Sequence, residues 1–307
     1  MSIARSILLR ASRSARIAEG FRRHAFARRA VRRFMPGEDA AAALEATASL
    51  VTSGLSAVIT ALGERVTSAT EVERVVGEYL SLLDQISARR LPAHISVKLT
   101  HLGLDLDADA CIRAVLTLCG RAAAAGSFVW IDIEESHYVD ATIDVFRRVR
   151  GQYSDVGLCL QAYLTRTPSD LASLLPLRPA IRLVKGAYQE PPDVAFAKKH
   201  ETDSAYVDMS RTLLRSAADK GAFPVFGTHD LKIIAAIRQM AAASGLVRGT
   251  YEIHMLYGIK TSEQLALAKD VAVRVLISYG VNWFPWYMRR LAERPANVWF
   301  VIRNILP

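Results

Sequence analysis

Short apolar runs rich in β-branched residues alternate along this chain with longer stretches whose apolar residues recur every three or four positions. The runs at 55–60, 94–99, 128–133, 156–160, 180–184, 223–226, 250–255 and 271–277 predict strands. The stretches at 71–88, 108–125, 138–149, 168–175, 200–220, 231–243, 261–269 and 283–294 predict helices. Within the first of these, Val72, Val75, Val76, Tyr79, Leu80 and Leu83 share one stripe. The strands are almost continuously apolar rather than alternating, as parallel strands covered on both faces are. Eight strand–helix pairs in series predict an α/β fold, a distorted (β/α)8 TIM-like barrel. No Gly-x-Gly-x-x-Gly follows any strand, so a Rossmann cofactor site has no support.

The totals change this picture only at the N-terminus. A chain of 307 residues suits one barrel with an appendage. The formal net charge is +9, but Arg5, Arg10, Arg13, Arg16, Arg22, Arg23, Arg28, Arg29, Arg32 and Arg33 crowd the first 33 residues, with Glu19 the only acid there. Residues 1–45 are read as a basic N-terminal helical arm and 46–307 as the barrel. Such an arm suits anionic lipid or a solvated face beside the barrel, and it also mimics a transit peptide. Nucleic-acid binding through it is the weaker reading. No apolar run reaches 18 residues, so a spanning helix is not expected. Cys111, Cys119 and Cys159 are odd in number and lack Cys-x-x-Cys spacing, which favours a reducing compartment and argues against a disulfide framework or a metal site.

Barrels of this kind gather their chemistry at the carboxyl ends of the strands. Seven of the eight predicted ends carry polar groups. Lys98, Asp132, Gln161, Arg182 with Lys185, Thr228 with His229, Glu252 with His254, and Tyr279 stand there. Polar groups against an apolar wall are costly unless they serve each other or a ligand, so the ensemble reads as one polar pocket. Lys98, Arg182, Lys185, Arg289 and Arg290 outnumber Asp132, Glu134 and Glu252, which predicts an anionic ligand. Taken alone, Arg289 and Arg290 equally suit a wet helix face. An aldolase-like barrel using Lys98 or Lys185 as a Schiff base also fits these residues.

The segments Ser96-Val97-Lys98-Leu99-Thr100, Ile131-Asp132, Gln161-Ala162-Tyr163-Leu164, Arg182-Leu183-Val184-Lys185-Gly186-Ala187-Tyr188, Thr228-His229-Asp230, Met255-Leu256-Tyr257-Gly258 and Arg289-Arg290-Leu291-Ala292-Glu293-Arg294-Pro295-Ala296-Asn297 occur in one order. In that order and spacing the chain resembles the proline dehydrogenase family, over roughly residues 40 to 305. The resemblance implies bound FAD, oxidation of L-proline to Δ1-pyrroline-5-carboxylate, electrons passed to a quinone, and a cytoplasmic protein with room for peripheral contact at the inner face of the membrane. It implies that Arg289, Arg290 and Lys98 hold the proline carboxylate, and that Asp132 pairs with one of those arginines. Arg182 would lie against the flavin. Ile133, Gln161, Lys185, Gly186, Ala187, Thr228 and His229 would contact the cofactor. Tyr279 would pack on the proline ring and disfavour a ring hydroxyl, with Leu256, Ala187 and Tyr188 completing the wall. Three departures stand out: His254 for glutamine, Trp286 for tyrosine, and Ile277-Ser278 for valine-proline.

Overall fold

The computed structural model describes residues 31–292; residues 1–30 of the basic arm lie outside them. Eight strands close a parallel barrel in the order of the sequence: β1 Ser56–Ala61, β2 Ala93–Lys98, β3 Val129–Asp132, β4 Val156–Gln161, β5 Ala180–Val184, β6 Phe223–Gly227, β7 Glu252–Leu256 and β8 Ala272–Tyr279. A helix follows each strand: α2 Ala69–Ala88, α3 Ala108–Ala124, α4 Val139–Arg150, α5 Thr167–Leu174, α6 Lys199–Ala218, α7 Leu231–Ala243, α8 Thr261–Leu267 and α9 Trp283–Ala292. The predicted fold class and all sixteen predicted elements are found.

Local chemistry starts several helices. Ser68 and Asp107 accept from the backbone N–H groups of Glu71 and Ala110, and Asp230 accepts from that of Lys232. Pro168 occupies the first turn of α5, where a missing N–H costs nothing. One further helix, α1 Ala40–Val51, precedes β1; it overlaps the expected helical arm over 40–45 and runs beyond it to Val51. Half of its residues are alanine, so its apolar stripe is faint. Ala43, Leu44 and Thr47 are nevertheless buried as it packs on β1 and β8. The boundary read at residue 45 falls inside this helix.

Side chains on each strand alternate between the barrel interior and the layer under the helices. The interior cluster joins Val58, Trp130, Ala180 and Val225 with Leu276, one residue from each of five strands. The outer cluster holds Ala57, Ile59, Ile131, Ile181, Ile253 and Ile277. Gly157 of β4 makes room for the Trp130 indole inside the barrel. A Cβ there would stand 2.5 Å from the ring. On the floor side, Arg274 Nε donates to both oxygens of Glu252, at 3.1 and 2.8 Å, and Arg274 Nη1 donates to the Pro92 carbonyl at 3.2 Å. His254 Nε2 lies 2.9 Å from the same carboxylate.

Candidate active site

The alternation of β2, β3, β4, β5 and β7 turns Lys98, Asp132, Gln161, Arg182 and Leu256 inward, so the barrel brings these expected residues to one mouth. Arg182 is the most enclosed cation there, 2% exposed. Its Nη2 donates to Ser96 Oγ at 2.8 Å and also bonds the Asp132 carboxylate. Its guanidinium carbon lies 5.0 Å over the Trp130 ring centroid. Burial opposes its charge, but Asp132 and Cys159 together hold its pKa above the ordinary value. Asp132 is thus fixed by Arg182, not by a carboxylate-binding arginine as expected. The inward positions on β3 and β5, on either side of β4, leave the acid facing the barrel interior, where Arg182 already is.

The partner of Arg289 is Glu64, four residues past Thr60 in the loop after β1. Arg289 Nη2 and Nη1 reach its two oxygens at 2.5 and 3.2 Å. Burial would raise the Glu64 pKa, but Arg289, Lys98 and Arg65 together hold it below the ordinary value. The Arg289 guanidinium carbon also lies 5.2 Å over the ring of Tyr188. Lys98 has no salt-bridge partner among the described residues. Arg290 follows Arg289 on α9 with Nε buried.

Lys185 lies just beyond β5, and two carboxylates grip it. Nζ donates to Asp203 Oδ1 at 2.6 Å and to Asp230 Oδ2 at 3.2 Å. That grip also withholds its ammonium from a carbonyl substrate, against the Schiff-base alternative. The cationic surplus of the mouth is therefore smaller than the sequence count suggested. Glu64, Asp203 and Asp230, none of them in that count, neutralise Arg289 and Lys185. Glu252 sits at the floor and does not enter the balance. Glu134 accepts from Thr100 Oγ1 at 2.6 Å and from Thr100 N at 3.1 Å, and burial pushes its carboxyl up to about 7.

Tyr279 is misplaced by the sequence reading. β8 turns Arg274, Leu276 and Ser278 inward, so Tyr279 points into the outer layer, 1% exposed, with Tyr79 and Glu78 of α2 as its titratable neighbours. Leu276 occupies the interior instead, beside Leu256 in the β7–β8 register. Arg274 and Ser278 fall on the same face of β8 as Leu276, so the period-2 placement of these polar residues was the signal that set Tyr279 on the other face.

The remaining expected residues ring the mouth. Gly186 has φ +111°, and a Cβ there would meet the Tyr163 ring at 2.1 Å, so only glycine fits. Ala187 and Tyr188 follow it. Ile133 is buried just past β3. Thr228 Oγ1 accepts from Asp230 N at 3.1 Å. His229 Nε2 accepts from Leu256 N at 2.8 Å, which requires a lone pair on that nitrogen. Gly227 faces inward at the end of β6, where a Cβ would stand 2.8 Å from Val184. Two buried polar atoms here have no hydrogen-bond partner: Gln161 Oε1 and Arg182 Nη1. A planar ligand carrying both donors and acceptors at its edge would satisfy them. Of the departures, Trp286 is buried among Trp283, Phe284 and Tyr287, and His254 bonds Glu252 below the mouth. No group of three or more His, Cys, Asp or Glu side chains among the described residues is arranged to hold a metal ion.

The sequence profile of the family described as proline dehydrogenase matches residues 43–303. Proline dehydrogenase 1 of Bacillus subtilis (strain 168) is 36% identical over 279 residues, covering 90% of each chain. The proline dehydrogenase of Deinococcus radiodurans is 33% identical over 280 residues, covering 89% of each. Among solved structures, proline utilization A from Bdellovibrio bacteriovorus inactivated by N-propargylglycine aligns with a TM-score of 0.81 at 21% identity. That alignment covers 95% of this chain and 36% of the other. A Bradyrhizobium japonicum proline utilization A variant aligns with a TM-score of 0.74 at 25% identity, over 88% of this chain and 31% of the other. The chain thus spans about a third of the length of those structures.

Proposed function

Because this chain belongs to the proline dehydrogenase family, we propose that it oxidises L-proline to Δ1-pyrroline-5-carboxylate at the barrel mouth, with FAD as its cofactor and a quinone as the final electron acceptor. The observation that carries this reading is the meeting, at one mouth, of orphaned buried polar atoms with the Lys98 ammonium, which has no salt-bridge partner among the described residues. Gln161 Oε1 and Arg182 Nη1 fit the polar edge of a flavin, and Gly186 and Gly227 keep its approach open. Gln161, Arg182, Lys185, Gly186, Ala187, Thr228 and His229 would hold the cofactor, with Ile133 packing beside it. FAD supplies a two-electron acceptor for the hydride that proline gives up.

The chain's own residues do the rest. Lys98, Arg289 and Arg290 bind the proline carboxylate, for which guanidinium forks and an ammonium are suited. Glu64 holds Arg289 in orientation. Asp132 and Ser96 hold Arg182, whose fixed positive charge favours the accumulation of negative charge beside it. Leu256, Ala187 and Tyr188 wall the substrate ring and exclude water. Rate comes mainly from positioning and preorganised charge. The protein works in the cytoplasm, and the arginine-rich stretch of residues 1–33 gives it peripheral contact with an anionic membrane surface. No helix among the described residues is long and apolar enough to cross a membrane.

The test is an absorbance spectrum of the purified protein, repeated after anaerobic addition of L-proline. A flavin band that proline bleaches is expected. A stoichiometric flavin that proline leaves oxidised would refute the substrate while sparing the cofactor.

A further inference from the structure

The loop that carries Glu64, residues 62–66, has no regular secondary structure. Its neighbours moor it instead. Leu62 N donates to the Tyr279 carbonyl at 2.7 Å. Arg65 N donates to Thr100 Oγ1 at 3.1 Å, and Val66 N donates to the Thr100 carbonyl at 3.2 Å. Gly63 lies against the buried His101 ring, where a Cβ would stand 2.1 Å from Nε2. Arg65 has φ +55°, an unusual conformation for a residue with a side chain. Its guanidinium is held from the far side, Nη2 donating to Glu135 Oε1 at 2.8 Å.

Thr100 is thus the post to which the loop is tied, and Glu134 holds the post. The Thr100 hydroxyl donates to Glu134 Oε1 at 2.6 Å and its N–H to Oε2 at 3.1 Å. With its hydrogen committed to Glu134, Thr100 Oγ1 turns lone pairs outward, and Arg65 N–H takes one. A chain of contacts therefore runs from Glu134 through Thr100 and Arg65 to Glu64, and from Glu64 to Arg289. Glu134 is only 2% exposed. A carboxylate so enclosed is costly unless its hydrogen bonds serve a purpose.

We infer that Glu134 is a positioning residue for substrate binding: through Thr100 it fixes the 62–66 loop, and so sets Glu64 to orient Arg289 for the proline carboxylate. The inference rests on the proline dehydrogenase reading above. An ionised Glu134 accepts both Thr100 bonds. Once protonated, it donates to Thr100 Oγ1 instead, and the threonine hydrogen loses its partner. Burial raises the Glu134 pKa to about 7 against the pull of Thr100 and Lys98, and Glu64 adds to the rise. Tyr188 beyond β5, Tyr138 before α4 and Cys111 of α3 also face it, and burial keeps all three neutral in that range. The loop should therefore loosen, and proline bind more weakly, as pH falls through about 7. Removing the Glu134 charge without moving the loop would have the opposite effect, since a nearby carboxylate repels an anionic substrate group.

The test measures kcat and KM for L-proline in the holoenzyme from about pH 6 to about pH 8. The variants are Glu134→Gln, Glu64→Gln, their double mutant, Thr100→Val and Thr100→Ser, each checked for flavin content and thermal midpoint. Glu134→Gln and Thr100→Val should raise KM about five- to tenfold, the worth of a lost hydrogen bond, with kcat within about twofold. Thr100→Ser should keep most of the affinity. The double mutant should be no worse than Glu64→Gln alone, because both act through one contact. The wild-type KM should show an inflection near pH 7, absent from Glu134→Gln. Additive losses in the double mutant, a lowered KM in Glu134→Gln, or an inflection that survives it would each overturn the inference. Should Thr100→Val fail to fold, the cycle between the two near-isosteric glutamines decides. If proline does not reduce the wild-type flavin, the proline dehydrogenase reading falls first; if it does and the variants bind proline normally, this inference alone falls.

Discussion

At the floor of the barrel, Glu252 takes two hydrogen bonds from Arg274 and one from His254, and Arg274 spends a further N–H on the Pro92 carbonyl. At the mouth, one strand-length away, Gln161 Oε1 and Arg182 Nη1 are equally buried and have no hydrogen-bond partner. The same strands build both ends, and both are rich in polar groups. The floor closes its charges on one another, with His254 Nδ1 the one side-chain atom left over there. The mouth leaves its polar atoms open in a group. Buried polar groups cost stability when orphaned, so an assembly of them in one place marks where a ligand completes the protein. The floor stabilises the fold, and the mouth waits for chemistry.

Substitutions at the two ends should therefore separate stability from function. Glu252→Ala should be the most damaging to the fold. It strands Arg274 and His254 in the interior and should cost about 3–5 kcal/mol, read as a lower denaturation midpoint in urea. If stability barely moves, the floor is not the closed network described. Arg289→Met and Arg290→Met should each raise the KM for proline about a hundredfold, as removal of a buried charged partner does. Flavin content should stay normal. Loss of flavin would show that these arginines hold the cofactor instead. Gly186→Ala forces a side chain into positive φ and into the Tyr163 ring, a strain on the order of 1–3 kcal/mol at the cofactor's approach. Reduced flavin occupancy at near-normal secondary structure is the expected readout, from absorbance and circular dichroism.

The smallest effect is on pH. Burial lowers the His254 pKa to about 4, below its ordinary 6.5. The unfolded ring binds a proton that the folded ring refuses, so stability should fall as pH drops from about 6.5 toward 4. Glu252 opposes its burial with help from His254 and Arg274, and its pKa is lowered to about 2 from 4.5. It adds a second loss as pH falls from about 4.5 toward 2. A thermal midpoint unchanged between pH 7 and pH 5 would contradict the assignment of a neutral His254. In a His254→Gln variant the upper of the two losses should vanish.

The barrel was legible because its order of elements is written in two periodicities, and neither needs tertiary contacts to be seen. The candidate site was legible in part. Lys98, Asp132 and Gln161 end their strands and Arg182 faces inward from the middle of β5, where sequence and fold agree. Tyr279 was not, because its place at the strand end drew it into the pocket although Arg274 and Ser278 mark the opposite face of Ala272–Tyr279 as the inward one. Glu64 escaped because it follows the one strand end that carried no candidate. Its significance appears only when α9 returns Arg289 to it. Asp203 and Asp230 were equally invisible as partners of Lys185, since α6 and the start of α7 meet only in the closed barrel. Strand ends announce themselves in sequence; pairs that form between loops and helices do not.

The division between floor and mouth is tested most directly by anaerobic titration with L-proline of Arg289→Met and Glu252→Gln holoenzymes side by side, following flavin absorbance and then thermal melting on the same samples. Arg289→Met should require about a hundredfold more proline for half-reduction and melt close to the wild type. Glu252→Gln should titrate like the wild type and melt lower. If the two variants shift proline affinity equally, the floor belongs to the active site and the account is wrong.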